Sequence, residues 1–192
     1  MVGTTAERWP TPRERRRIAA WATATALLLL VPLVAMSVTN EVDWTAFDFV
    51  FAGALLLGVG LTYELIARTT ALTTYRAALG VALATAFALV WVNAAVGILG
   101  SEDNDANLMF AGVLAVAAIG ALIARLRPEG MARALLATAL AHALVGAIAL
   151  IARLGSTEDA LVLTAFFVAL WLTSAHLFRR AARQHPSAST TP

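Results

Sequence analysis

The chain contains neither cysteine nor lysine among its 192 residues, and only 14% of them are charged. The lack of cysteine excludes disulfide bonds, thiolate metal sites and cysteine nucleophiles. No stretch of ordinary polar composition is long enough to form a soluble domain. The sequence also lacks the spacings typical of a catalytic triad, a phosphate-binding loop or a helical His-x-x-x-His metal site. We therefore expect a protein that is not an enzyme and that carries no cofactor and no bound metal.

Apolar residues make up 60% of the chain, above the roughly 45–50% of soluble domains. They are concentrated in six segments, each close to the ~20 residues with which a helix crosses the hydrocarbon core. Helices are required there because lipid cannot hydrogen-bond an open backbone. Short connections predict that successive helices pack as antiparallel hairpins. The predicted spans are 18–38, 45–67, 77–99, 108–124, 134–152 and 160–178.

The predicted fold class is therefore all-α, a polytopic membrane bundle of six transmembrane helices arranged as three tandem hairpins. Residues 1–17 are expected to form a basic cytoplasmic tail, residues 18–178 the transmembrane domain, and residues 179–192 a disordered cytoplasmic tail rich in Ser, Thr and Pro.

All 14 basic residues are arginine, and they alternate with the acidic residues along the chain. Short loops that carry arginine stay in the cytoplasm, so the pattern predicts a membrane protein with both termini cytoplasmic. The absence of lysine and the abundance of alanine indicate a GC-rich bacterial genome, and we therefore expect the membrane to be a bacterial inner membrane. The arginines flank apolar segments and form no basic face, which favours contact with anionic lipid headgroups over nucleic acid. On the predicted cytoplasmic side they are Arg8, Arg13, Arg15, Arg16, Arg17, Arg68, Arg76, Arg125, Arg127, Arg133, Arg179, Arg180 and Arg183.

The other side is predicted to carry eight carboxylates and a single arginine, Arg153. Together the carboxylates would form an outer acidic rim that attracts cations, although acidic loops are also what topology alone leaves outside. The run from Asp103 to Asn107 matches the first positions of a calcium loop, but Leu108 replaces the required glycine and no glutamate closes the loop. The rim residues are Glu41, Asp43, Asp48, Glu102, Asp103, Asp105, Glu158 and Asp159.

Polar residues inside the apolar spans are costly in lipid and by default indicate function. His142 lies near the centre of the fifth span, with Thr138 one turn earlier on the same face. Asn93 lies in the outer half of the third span, and Asp48 lies just inside the second. We interpret these four residues as candidates for a ligand or ion route, because an imidazole exchanges protons near neutral pH. The alternative is a neutral, structural hydrogen bond between His142 and Asn93.

Two further patterns involve ionisable residues near the predicted cytoplasmic side. Glu64 precedes Arg68 by four residues, the favourable spacing for a structural ion pair on a helix. His176 is about 10 Å deeper toward the cytoplasm than His142, an offset that argues against a haem held by the two histidines.

The first span could also be a cleaved signal peptide. Arg13 to Arg17 would form its basic region, and Ala35-Met36-Ser37 offers small residues at a plausible cleavage site. However, the apolar stretch of about 20 residues exceeds the usual 7–15 of a signal peptide, and it contains Pro32. We therefore predict an uncleaved anchor, kinked at the proline.

Short phrases recur along the chain and are consistent with three related hairpins, or simply with a shared membrane composition. Ile66-Ala67-Arg68 recurs as Ile123-Ala124-Arg125. Leu99-Gly100-Ser101-Glu102-Asp103 resembles Leu154-Gly155-Ser156-Thr157-Glu158-Asp159.

The stretch from Trp91 to Asn104, which reads WVNAAVGILGSEDN and leads to Ala106-Asn107-Leu108, resembles a signature of an uncharacterised family of small six-helix bacterial inner-membrane proteins. The resemblance extends over most of the chain except the two tails. It implies the six-helix fold and directs attention to Asn93 and the connection that follows, but it implies no activity, cofactor or catalytic residue.

Two hypotheses of function follow. In the first, the protein binds or passes a small solute or cation through a polar route in the bundle. In the second, it is a structural or accessory subunit that acts through helix–helix contacts, with a partner membrane subunit or as a homo-oligomer. Abundant small residues in the spans favour close helix packing under either hypothesis.

Overall fold

A computed structural model of the chain describes residues 12–100 and 104–184, with side chains from Arg15 onward. All of the regular structure within these ranges is helical. Six helical segments within these ranges are long and apolar enough to cross a membrane, the fourth only when its α-helix is taken together with the 3₁₀ helix before it, which confirms the all-α class and the number of predicted helices. The α-helices are α1 (Pro12–Val38), α2 (Ala46–Ala67), α3 (Thr73–Ala95), α4 (Met109–Ala124), α5 (Pro128–Ala152) and α6 (Thr157–Gln184), and a 3₁₀ helix (Asp105–Leu108) precedes α4.

Helix α3 begins and ends four residues earlier than the predicted span 77–99. Its early end follows from the glycines beyond it, because Gly97 and Gly100 adopt φ values of 68° and 88° that other residues rarely tolerate. The chain therefore leaves the helix after Ala95 and forms a compact turn over residues 96–100.

Helix α6 continues to Gln184, whereas the sequence analysis predicts a disordered tail from residue 179. Arginine and alanine are strong helix formers, and Arg183 in the last turn is favourably placed near the negative end of the helix dipole. The prediction from composition groups residues 179–184 with the Ser/Thr/Pro-rich tail that follows them. Residues 185–192 lie outside the described ranges.

The chain divides into two compact units, residues 1–64 and residues 65–192. In the first, α1 lies antiparallel to α2. Near one end, Arg17 Nη1 donates to Glu64 Oε1 at 2.7 Å. The Trp21 ring contacts Tyr63 edge-on, with centroids 6.4 Å apart. A Cβ on Gly60 would lie 2.5 Å from the Trp21 ring, so only glycine lets the indole approach the helix at that point.

In the second unit, α5 packs against both α4 and α6, and α6 also packs against α3. Small residues bring α4 and α5 close together, since a Cβ on Gly120 would lie 2.7 Å from Ala134 Cβ. Ser174 on α6 donates a 2.7 Å hydrogen bond to the carbonyl oxygen of Ala78 on α3. Tyr75 packs edge-on against Phe178 and donates to the Leu126 carbonyl oxygen at 2.7 Å. This unit contains the fully buried core.

The connections after α3 and after α5 touch each other at two glycines. Gly100 and Gly155 both have positive φ, 88° and 91°. A Cβ added to Gly155 would lie 2.7 Å from the Gly100 nitrogen, so the contact requires the absence of a side chain. The Leu-Gly pairs at residues 99–100 and 154–155 therefore mark two turns that pack against each other.

Arg153, the one arginine on the predicted outer side, caps a helix. It follows Ala152 in the left-handed conformation with φ of 54°, and Arg125 ends α4 in the same way with φ of 47°. Each belongs to an Ile-Ala-Arg-Leu phrase. Basic side chains at a helix C-terminus interact favourably with the helix dipole. Helix capping thus accounts for this exception to the arginine distribution.

Candidate functional site: the polar core around His142

His142 is fully enclosed in the core of the second unit, with 0% of its surface exposed. The α4·α5 contact brings Phe110 to one side of the imidazole, with ring centroids 5.3 Å apart. The α5·α6 contact brings Phe167 against it, with centroids 5.4 Å apart and planes inclined by 30°. Both phenyl rings are themselves buried. The imidazole thus occupies a position that an aromatic apolar side chain would fill.

Neither nitrogen of His142 has a hydrogen-bond partner among the residues that the structure describes. A neutral imidazole carries one donor and one acceptor, so both capacities are unused. Leaving a buried polar group unpaired costs about 1–3 kcal/mol. The side chain therefore packs well but is not satisfied as a polar group.

The three buried serine and threonine hydroxyls of the second unit are satisfied by backbone carbonyls. Thr138 donates to the Ala134 oxygen at 2.9 Å, and Thr85 to the Val81 oxygen at 2.7 Å, each within its own helix. Ser174 donates across to α3, as described above. Thr138 is buried one turn from His142, and its hydroxyl is directed to its own backbone.

Trp171 adds another buried polar group without a partner. Its ring is 1% exposed, and its Nε1–H finds no acceptor in the described part of the chain. It lies on α6 four residues after Phe167, and therefore one turn from the ring that stacks on His142. Trp171 is not among the residues predicted from the sequence to form the site. Its position inside an apolar span, away from either predicted interface, was the available signal.

Asn93 contacts the connection that precedes α4 and does not bond to His142. Its Nδ2 donates to the Asn107 carbonyl oxygen at 3.4 Å, and its Oδ1 has no partner among the described residues. Because both His142 nitrogens are also unpaired, the structural hydrogen bond that the sequence offered as an alternative is wrong. The two residues are not brought together by a direct bond.

Asn107 holds the turn that follows α3, a role missed in the sequence. Its Oδ1 accepts from the backbone N–H groups of Ile98 at 3.2 Å and Leu99 at 2.9 Å. Asn104 adds a third hydrogen bond, with Nδ2 donating to the Leu99 oxygen at 2.7 Å. We call these three hydrogen bonds from Asn104 and Asn107 to residues 98–99 the asparagine clasp. Residues 97–100 and 104–107 are therefore held together by a network of asparagine side chains and backbone groups. Asparagines close to glycines in the sequence are typical of turns, and this pattern could have identified the role of Asn107.

Asp48 lies in the first unit, is half-buried, and caps α2. Its Oδ2 accepts from the backbone N–H and from the hydroxyl of Thr45, both at 2.7 Å, and its own N–H donates back to Thr45 Oγ1 at 3.4 Å. This reciprocal pattern is a capping box. Asp48 thus has a local partner, contrary to the reason for which the sequence analysis placed it on the route.

Glu64 is 7% exposed, and its carboxylate is paired with Arg17, which is on α1. The sequence analysis named Arg68 as its partner because of the helical spacing, and that pair remains a prediction. A contact between distant segments, such as the one from Arg17, is invisible to a spacing argument within one helix.

Of the remaining rim residues, Asp159 is engaged at the start of α6, where Ser156 Oγ donates to Asp159 Oδ2 at 2.6 Å. Glu41, Asp43, Asp105 and Glu158 are described by the structure, whereas Glu102 and Asp103 lie outside the described ranges. Within residues 12–100 and 104–184, no group of three or more His, Asp or Glu side chains is arranged to hold a metal ion.

No protein-family model, curated protein or solved structure matches the chain. The site must therefore be judged on its own geometry.

Proposed function

We propose that this chain is a non-enzymatic, multi-pass protein of the bacterial inner membrane that binds or passes a small polar solute or cation at the buried core around His142. The observation that carries the proposal is an imidazole that is fully enclosed and whose nitrogens both lack a partner among the described residues. Polar groups at membrane depth are expensive, and evolution keeps them there mainly for function. A bound solute or proton would supply the partner that residues 12–100 and 104–184 do not.

The chemistry available at the core fits a small ligand. A neutral imidazole offers one donor and one acceptor, and Trp171 Nε1 offers a further donor one turn along α6 from Phe167. Phe110 and Phe167 cover the imidazole, so the ligand reaches it only when one of these rings changes its rotamer. Such side-chain gating favours transient binding over an open pore.

The proposal includes the orientation and arrangement of the helices. Arginine-rich connections support cytoplasmic termini and contact with anionic lipid headgroups. The antiparallel contact of α1 with α2 and the packing of α5 on α6 fit two of the three predicted hairpins, whereas α3 packs on α6 and α4 packs on α5. Asp48 and the acidic rim are not needed for the site, because Asp48 serves the start of α2.

Flux measurements in proteoliposomes test the proposal, with protons and potassium ions as probes and a dye inside the vesicles as the readout. His142→Phe removes both nitrogens and keeps a planar ring, and it should reduce flux at least tenfold. His142→Gln keeps a donor and an acceptor but does not carry a proton, so it separates solute binding from proton transfer. The matched control is His176→Phe on the exposed side of α6. Wild-type flux for His142→Phe would refute the proposal.

An accessory role is the second candidate, and one face of α4 favours it. Exposed small residues follow one another along this helix at Ala111, Gly112, Ala115 and Ala118. A Cβ on Gly112 would meet nothing within 4 Å. Such a face permits close approach of another helix, from a second copy or from a partner subunit. Ala115→Leu should then abolish assembly, measured by cross-linking in membranes, while the exposed control Ala137→Leu on α5 should not.

A further inference from the structure

A cleft of 250 Å³ opens between the beginning of α5 and the end of α6, away from His142. Its lining contains three arginines and one glutamate, together with two alanines. The residues are Glu129, Ala132, Arg133, Arg179, Ala182 and Arg183.

Helical spacing directs these side chains toward the cleft. Glu129 and Arg133 are four residues apart on α5, and Arg179 and Arg183 are four apart on α6, so each pair shares one helix face. All four side chains are exposed. Ala132 and Ala182 add little bulk between them. The continuation of α6 to Gln184 is what brings Arg183 to this site.

The charges of the cleft are not balanced internally. Three arginines and one glutamate give a formal charge of +2 (3 − 1). None of the three arginines forms an ion pair with any carboxylate that the structure describes, although Glu129 precedes Arg133 at a favourable spacing. Their guanidinium groups are therefore available to an external anion, and the planar fork of arginine matches the oxygens of a phosphate group.

We propose that this cleft binds the phosphate of an anionic membrane phospholipid. It lies where the apolar spans of α5 and α6 end, at the depth of a headgroup in a membrane-inserted protein. Exposed apolar side chains continue from it along each helix. Leu140 and Leu144, 73% and 61% exposed, lie on the Arg133 face of α5, and Leu172, 43% exposed, lies two turns from Arg179 on α6. A soluble phosphate ester would contact the arginines but would have no acyl chains to pack against the exposed leucines.

Glu129 points to the kind of headgroup. A carboxylate in a cationic cleft accepts hydrogen bonds and repels a second phosphate. A headgroup with one phosphodiester and free hydroxyls, as in phosphatidylglycerol, satisfies both features. This proposal is independent of the function assigned to His142, because the two sites share no residue.

Native mass spectrometry of the full-length protein, released from a neutral detergent, tests the proposal. The ligands are phosphatidylglycerol, phosphatidylcholine and soluble glycerol phosphate. The variant Arg179→Gln with Arg183→Gln removes two cleft charges. The matched control, Arg180→Gln with Arg125→Gln, removes two exposed charges from the same end of the helices but outside the cleft. Arg133→Gln tests the α5 side separately.

The expected result is retained phosphatidylglycerol on the wild type and on the control, with at least tenfold weaker binding for the cleft double variant and weaker binding for Arg133→Gln. A tenfold change corresponds to about 1.4 kcal/mol. Equal loss in the control variant would show diffuse charge attraction and overturn the proposal. Equal retention of phosphatidylcholine would also overturn it. Glycerol phosphate that binds as tightly as the lipid would identify a soluble phosphate ester as the ligand and refute the lipid assignment.

Discussion

The imidazole of His142 stacks on the phenyl ring of Phe167, with centroids 5.4 Å apart and planes inclined by 30°. The contact joins α5 to α6 in the middle of the second unit. It uses the imidazole as an aromatic surface, while no residue in the described part of the chain hydrogen-bonds to the same ring. Packing alone would be served by phenylalanine, so the presence of histidine calls for another reason.

The first prediction concerns the stability cost of that histidine. His142→Phe should raise the free energy of unfolding by about 1–3 kcal/mol, because it removes two unpaired nitrogens and keeps the ring stack. Denaturant titration in mixed micelles measures the change. His176→Phe on the exposed side of α6 should be close to neutral. A marked loss of stability in His142→Phe would mean that the imidazole has a structural role that its packing does not reveal.

The second prediction compares two glycines of α4. Gly120→Ala should destabilise the protein by about 1–3 kcal/mol, because its Cβ would lie 2.7 Å from Ala134 Cβ on α5. Gly112→Ala should be neutral or stabilising by up to about 1 kcal/mol, because the new methyl group meets nothing within 4 Å and alanine is the better helix former. Thermal unfolding in detergent distinguishes them. Equal effects at the two positions would contradict the packing of α4 on α5.

The third prediction concerns the asparagine clasp, the hydrogen bonds by which Asn104 and Asn107 hold the turn after α3. Asn107→Ala leaves the buried N–H groups of Ile98 and Leu99 without their acceptor, at about 1–3 kcal/mol each. Hydrogen exchange should then accelerate at these two amides before the helices open. Leu108→Ala, at a side chain that is 71% exposed, is the neighbouring control. Unchanged protection in Asn107→Ala would show that the turn is held by something else.

Much of the fold could be predicted from the sequence because hydropathy acts along contiguous segments. The six helices follow from this property alone. Which helices touch could not be predicted, because it depends on contacts between distant residues such as Ser174 with Ala78. The hydrogen-bond partners of buried polar groups could not be predicted from the sequence either. His142 was identified from its depth, whereas the absence of a partner for it emerged only from the packing.

Helix-capping patterns, in contrast, can be read directly from the sequence. They give a structural reason for some polar residues that would otherwise be assigned to a functional site. Thr45-Ala46-Phe47-Asp48 has the spacing of a capping box, and Ser156 to Asp159 has the same spacing. The capping-box spacing gives Asp48 a structural role at the start of α2, without a place on the predicted route. The Ile-Ala-Arg phrase likewise marks helix ends at Arg125 and Arg153, which explains an arginine on the predicted outer side.

The fourth prediction separates capping from function at the start of α2. Thr45→Ala should destabilise the protein by about 0.5–2 kcal/mol through loss of the N-cap hydroxyl. Asp48→Asn should weaken the same cap but leave any flux that depends on His142 unchanged. Flux and thermal unfolding of both variants provide the comparison. Loss of flux in a folded Asp48→Asn variant would return Asp48 to the route.

The proposed roles of the His142 core and of the arginine cleft depend on six membrane crossings with the arginine-rich connections inside. The lack of cysteine makes the direct measurement simple, because each introduced cysteine is the single thiol of the protein. Asn40→Cys and Ser156→Cys lie in connections predicted to face outward, and Thr69→Cys and Ser187→Cys in segments predicted to be cytoplasmic. A membrane-impermeant maleimide applied to intact spheroplasts should label the first two and spare the others until the membrane is opened. Labelling of Thr69→Cys or Ser187→Cys in sealed spheroplasts would contradict the account.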